Sequence, residues 1–158
     1  MLTCGLRKGE LLGLKIRDID LERKQLTVRA ETSKSRMQRV VPLNSLVVSK
    51  IKDYFGEKKK IDCCSENLFT SDNGIGTLGY DGIKHLVEKV KKASGVNFHL
   101  HQFRHSFAVN LLMAGTDIAK LKQLLGHRDI RMTATYLRCL PTSEMRDDVE
   151  KMTLDNLI

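Results

Sequence analysis

Two arginines, two histidines, one lysine and one tyrosine are the residues of this 158-residue chain whose chemistry fits together: Arg7, Arg104, His101, His127, Lys34 and Tyr136. Two fixed guanidinium forks can hold the non-bridging oxygens of a phosphodiester bidentately as its negative charge grows. Lysine at either place would serve less well. A tyrosine hydroxyl titrates near pH 10, so a phenolate nucleophile at pH 7 costs roughly 4 kcal/mol. Nearby arginines lower that cost, and His101 can accept the proton. The leaving oxygen of a phosphodiester is a poor alkoxide; Lys34 can protonate it if neighbouring cations depress its own pKa. His127 follows a helix end, where the dipole favours its charged form and a hydrogen bond donated to phosphate. Singly these residues mean little, since an arginine beside a glutamate is usually a surface pair and a tyrosine in a mixed helix is usually packing. Their joint order carries the weight.

The elements that must position them can be read from periodicity. Leu6, Leu11 and Leu14 have near-helical spacing, with Arg7 and Glu10 three apart on one face. This helix is expected to be entered already in progress. Gln25 to Ala30 alternates, Arg39 to Leu43 is β-branched, and a polar stretch from Thr32 to Gln38 separates them, which predicts a hairpin with a long basic loop around Lys34. Asn44 caps a helix expected to stop at Gly56, and Lys58 to Lys60 read as solvated surface. After a turn from Asp72 to Gly76, Thr77 to Ser94 is helical, and Gly95 turns the chain toward His101. There Leu100, Phe103, Phe107, Leu111 and Ala114 form the apolar stripe, setting His101, Arg104 and His105 on another, polar face. Gly115-Thr116-Asp117 caps the next helix, Gly126 ends it, and Tyr136 follows within a short element.

The composition suits one soluble domain. A net charge of +8 favours a polyanionic partner, and residues 141–158 carry a net −3, leaving +11 on the rest. No apolar run approaches a bilayer span and the N-terminus has no signal-peptide pattern, so the expected address is cytoplasmic, with no membrane partner. Cys4, Cys63, Cys64 and Cys139 form no CxxC pair and are read as reduced thiols; His99 and His101 lack a second ligand pair, so no metal site is expected.

The chain resembles the tyrosine recombinase and phage integrase family. The resemblance lies in Cys4-Gly-Leu-Arg-Lys-Gly-Glu10, Leu11-Leu-Gly-Leu14, Asp18-Ile-Asp20, Ser33-Lys34 before Pro42-Leu43, His101-Gln-Phe-Arg104-His-Ser-Phe107, Leu125-Gly-His127 and Thr133-Ala-Thr-Tyr136. It implies an α+β fold, mainly α-helical with a small antiparallel β-sheet, and a site-specific DNA recombinase or integrase catalytic domain over residues 1–158. Arg7 and Arg104 would grip the scissile phosphate, Tyr136 attack it to give a 3′-phosphotyrosine, Lys34 protonate the leaving oxygen, and His101 and His127 complete the pocket. Glu10 would orient Arg7, and His105 would be structural. Arg29, Arg36 and Arg39 are read as phosphate contacts that position double-stranded DNA. Covalent capture conserves the phosphodiester energy, so neither ATP, metal nor other cofactor is expected.

The family's N-terminal DNA-binding domain is not evident before Arg7, which suggests a fragment. Met145, Val149 and Met152 lie at helical spacing in an acidic tail, expected either to pack on the body or to mediate self-association on DNA. Two other readings compete: a type IB topoisomerase, and a helix-turn-helix binding module spanning Gly115, which would leave Arg7, Lys34 and Tyr136 without a role.

Overall fold

The computed structural model describes residues 1–60, 65–71 and 76–141. Cys63, Cys64, most of the expected turn after Ser71, and the acidic tail lie outside these residues. Helix α1 spans Lys8–Leu12 and has its own start: Arg7 is extended, and the Glu10 carboxylate accepts the backbone N–H of Arg7 at 2.8 Å. The expected helix in progress from the chain start is therefore a single capped turn and a half.

Strands β1 (Ile19–Asp20), β2 (Gln25–Val28) and β3 (Arg39–Pro42) form an antiparallel sheet in the order β1-β2-β3. The hairpin is as expected; the two-residue β1 is too short to leave a periodic signature. The register pairs Leu26 with Val41 and Val28 with Arg39. Leu26, Val28 and Val41 all point into the core. Because side chains alternate along a strand, burying Val41 also turns Arg39 inward. Pro42 sits on the edge strand, where its missing N–H costs no ladder bond.

Helix α2 (Ser45–Lys60) begins where Asn44 Oδ1 accepts the Val47 N–H at 2.9 Å. It passes through Gly56 without stopping. A mid-helix glycine costs about 1 kcal/mol, and Lys58 supplies an anchor beyond it: its ammonium donates to the carbonyls of Asn67 and Leu68, and its side chain is buried, not solvated. Helix α3 (Tyr80–Ser94) ends on left-handed Gly95. Helix α4 (Leu100–Met113), α5 (Ile118–Leu125) and α6 (Ile130–Ala134) follow, then a 3-10 helix over Thr135–Cys139. Asp117 caps α5 by accepting the Ala119 N–H at 2.8 Å. Arg104, placed by periodicity on the polar face of α4, is instead among its buried residues with Phe107, Ala108 and Leu112. Among the described residues no helix is long and apolar enough to cross a membrane.

Two apolar clusters result. One joins the sheet, the α1 segment and α2 through Leu6, Leu14, Leu26, Val28, Val41 and Val48. The other joins α4, α5 and the last 3-10 helix through Phe107, Ala108, Leu121, Leu125 and Tyr136. Gly5 lies where they meet, at φ +59, and a Cβ there would stand 2.5 Å from the Phe107 ring. The polar residues between the two clusters form the site.

Candidate active site

Helix α5 supplies the anchor. Gly126 adopts φ +64, and the N–H groups of Gly126 and His127 fold back onto the carbonyls of Gln123 and Lys122. The last carbonyls, Leu124 and Leu125, still need donors, and they lie at the negative end of the helix dipole. Guanidiniums fill both places. Arg39 Nε donates to Leu124 O at 2.7 Å, Arg104 Nη2 to Leu125 O at 2.7 Å, and Arg7 Nη1 to the same oxygen at 3.4 Å. Arg104 also donates to Gly5 O.

Glu10, 1% exposed, is the counter-ion. It accepts from Arg39 at 2.9 and 2.7 Å, one bond to each oxygen, and from Arg7 Nη1 at 2.9 Å; Arg104 Nη1 lies 3.9 Å away. Burial alone would raise its pKa. The Arg39 hydrogen bonds, followed by those from Arg7, overcome burial and hold it at about 2. Three guanidiniums thus share one carboxylate, and the cluster keeps an excess of positive charge in a desolvated place. Its effect is seen on Arg104, whose pKa falls to about 10 through burial first and the Arg7 charge second.

His127 departs from the expectation that a helix end raises its proton affinity. Its pKa is lowered to about 4, chiefly by burial and then by Arg104, Arg7 and Arg39. The dipole is outweighed by burial and by three nearby cations. Arg104 Nη2 can only donate, so His127 Nε2, 3.1 Å away, is the acceptor; Nδ1 then carries the proton and donates to Thr133 Oγ1 at 2.9 Å. Thr133 is fully buried and accepts this proton, while Arg104, which can only donate, fixes the tautomer.

Tyr136 is 7% exposed and packs between two rings, His105 at 5.2 Å and His127, nearly parallel, at 6.3 Å. The structure therefore brings together Arg7, Glu10, Arg104, His127 and Tyr136. Lys34 and His101 lie apart from that network, exposed on the wall of an open cleft of about 820 Å³ that Lys8, Lys84, Lys91 and Arg7 also line. Arg7 belongs to both cleft and cluster and joins them. His105 is exposed, with its ring 5.2 Å from the Tyr136 ring and its Nε2 3.6 Å from Cys139 Sγ.

Of the three arginines read as phosphate contacts, only Arg36 is exposed, at φ 51 on the hairpin loop. Arg39 is buried on Glu10. Arg29 donates from Nε to Asp18 Oδ2 at 3.0 Å and from Nη2 to Gly13 O at 2.6 Å, and pairs with Glu31. Both guanidiniums are turned inward by internal acceptors, correcting the surface role expected for them. Sequence reasoning also missed Thr133, Ser33, Ser35 and Arg128. Strand alternation through Val41 was the available sign for Arg39, and Ser33 and Thr133 stood in the quoted motifs without a role assigned to them; nothing local marks Ser35 or Arg128. Among the described residues no group of three His, Cys, Asp or Glu side chains could hold a metal ion.

A mainly helical domain with a three-stranded antiparallel sheet is the tyrosine recombinase catalytic-domain architecture. The phage integrase family profile matches residues 1–142, and the chain belongs to that family. It is 35% identical over 153 residues to the tyrosine recombinase XerA of Pyrococcus horikoshii, covering 96% of this chain and 52% of that protein. A crystal structure of XerA recombinase superposes with a TM-score of 0.79 at 28% identity, over 95% of this chain and 54% of the other. The Tn1549 transposon integrase in complex with a circular intermediate DNA superposes at 0.74 and 25% identity, over 96% and 56%. The chain spans about half the length of these relatives.

Proposed function

We propose that this chain cleaves and rejoins one strand of double-stranded DNA as the catalytic part of a site-specific recombinase. The observation that carries the reading is the excess of positive charge beside Tyr136: Arg7, Arg39 and Arg104 gather on Glu10, the one carboxylate paired with them among the described residues. Such a cluster favours an anion, and a phosphodiester entering from the cleft supplies one. Arg7 and Arg104 hold its non-bridging oxygens. The Tyr136 oxygen attacks phosphorus as its proton passes to a base, with His101 the candidate; the P–O5′ bond breaks, and Lys34 gives a proton to the departing 5′ oxygen. The 3′-phosphotyrosine conserves the bond energy, and a new 5′-hydroxyl attacks it to rejoin the strand. No metal or nucleotide takes part in these steps.

The phosphate charge also changes His127. An anion beside Arg104 opposes the three cations that depress the imidazole pKa, so Nε2 gains a proton and donates it to a phosphate oxygen as negative charge builds. Arg36 meets the DNA backbone from the hairpin loop. The relatives' DNA-bound structures support DNA as the partner. Self-association through residues 141–158 belongs to the same proposal.

A nicked suicide DNA substrate resolved on a denaturing gel tests the reading. The intact chain is expected to give a covalent protein–DNA adduct without added metal or ATP, and Tyr136→Phe to give none. An adduct that survives Tyr136→Phe would falsify the assignment of the nucleophile.

A further inference from the structure

Arg39 lies on β3, five residues after Lys34, and its part in the strand-cleavage reading so far is only its charge in the cluster. We infer that Arg39 is a positioning residue that latches the β2–β3 loop onto Glu10 and the end of α5, so that Lys34 is held where the leaving oxygen departs. The inference rests on the strand-cleavage reading.

All three nitrogens of the guanidinium are committed. Nη1 and Nη2 each donate to one Glu10 oxygen, and Nε to Leu124 O. These acceptors belong to two elements outside the hairpin, so one planar fork ties three parts of the molecule together. The fit is close on its other side too. A Cβ on residue 126 would stand 2.8 Å from Arg39 Nη1 and 3.0 Å from Cδ, so the glycine at the α5 end leaves only enough space for this side chain.

The loop itself is built to present Lys34. Its neighbours Ser33 and Ser35 are buried and share a hydrogen bond of 2.8 Å between their hydroxyls, while Lys34 between them is exposed on the cleft. The loop's remaining ties are thinner. Ser33 Oγ donates to Glu10 Oε1 at 3.5 Å, and Arg128 Nε donates to Ser35 O at 3.0 Å. Removing Arg39 frees one strand of the hairpin from α5 and lets Glu10 relax, and Lys34 loses its fixed distance from Arg7.

The test separates a lost proton donor from a lost scaffold. Cleavage rates are measured on two suicide substrates, one with the ordinary bridging 5′ oxygen and one with sulfur in its place. A thiolate leaves without needing a proton, so the sulfur substrate bypasses Lys34. Each protein is characterised by the ratio of its two rates, which does not depend on how much of the preparation is folded.

Arg39→Met is expected to slow the oxygen substrate roughly a hundredfold and the sulfur substrate by less than about tenfold, the pattern also expected of Lys34→Ala. Arg39→Lys, which keeps a cation but not a fork, should shift the ratio in the same direction. Equal losses on both substrates, an unchanged oxygen rate, or a wild-type ratio in Arg39→Lys overturns the inference. If the intact chain forms no Tyr136 adduct with either substrate, the cleavage reading itself fails. If it reacts and the ratio ignores Arg39, only the positioning role fails.

Discussion

Glu10→Gln removes the charge at the centre of the arginine cluster and changes almost no volume. Glu10 accepts from Arg39, Arg7 and Ser33 while 1% exposed, and its amide replacement would turn an N–H2 toward guanidinium donors. Two routes to the magnitude agree. Breaking a buried ion pair by removing one partner costs about 3 to 5 kcal/mol. The carboxylate is held at about 2, against an ordinary 4.5, and that displacement corresponds to about 3 kcal/mol. The variant should therefore unfold about 3 kcal/mol more easily in urea at pH 7, and its Tm should fall by roughly 6 to 12 °C for a domain of this size. The pH dependence adds a sharper test. A depressed carboxylate contributes stability that is whole above pH 4.5 and is lost as pH falls toward 2, and glutamine has no such contribution to lose. The gap between the two proteins must narrow across that window. A loss under about 1 kcal/mol at pH 7, or a gap constant down to pH 3, would refute the view that Glu10 is the cluster's counter-ion.

Gly5→Ala places a methyl 2.5 Å from the Phe107 ring at φ +59 and should cost about 3 kcal/mol or more by denaturation; a loss under 1 kcal/mol would mean the two apolar clusters yield freely. His127, with its pKa lowered to about 4, should remain neutral with the proton on Nδ1 at pH 6 by nitrogen NMR, and stability should decline as pH falls from 6.5 toward 4 because the unfolded chain binds the proton more tightly. His127→Gln should flatten that decline, and an apparent pKa at or above 6.5 in the free protein contradicts the assignment. With +11 on residues 1–140, DNA affinity measured by fluorescence anisotropy should weaken with salt by roughly 0.9 log units per log unit of salt for each phosphate contacted; a nearly flat titration tells against phosphate-led binding.

Much of the site was legible in the order of residues along the chain. Arg7, Arg104, His127 and Tyr136 were named from it, and the structure puts them in one network. Local signals also predicted the caps at Asn44, Asp117 and Gly126 and the turn at Gly95, because caps and turns are made by residues adjacent in sequence. Where reasoning erred, distant partners were responsible. Gly56 does not stop α2, since Lys58 finds the Asn67 and Leu68 carbonyls. Arg104 leaves its polar face because the Gly5 and Leu125 carbonyls receive it.

Sequence by itself determined the family, most of the elements and the residue types of the site, since motif, periodicity and capping are properties of short stretches of chain. Tertiary structure alone decided which charges meet. It turned Arg39 from DNA to Glu10, gave Arg29 to Asp18, and held His127 neutral against the pull of its helix. The reason is physical: in a desolvated interior, a charge is governed by the partners within hydrogen-bonding reach, and those partners come from elements as much as 118 residues apart in the chain.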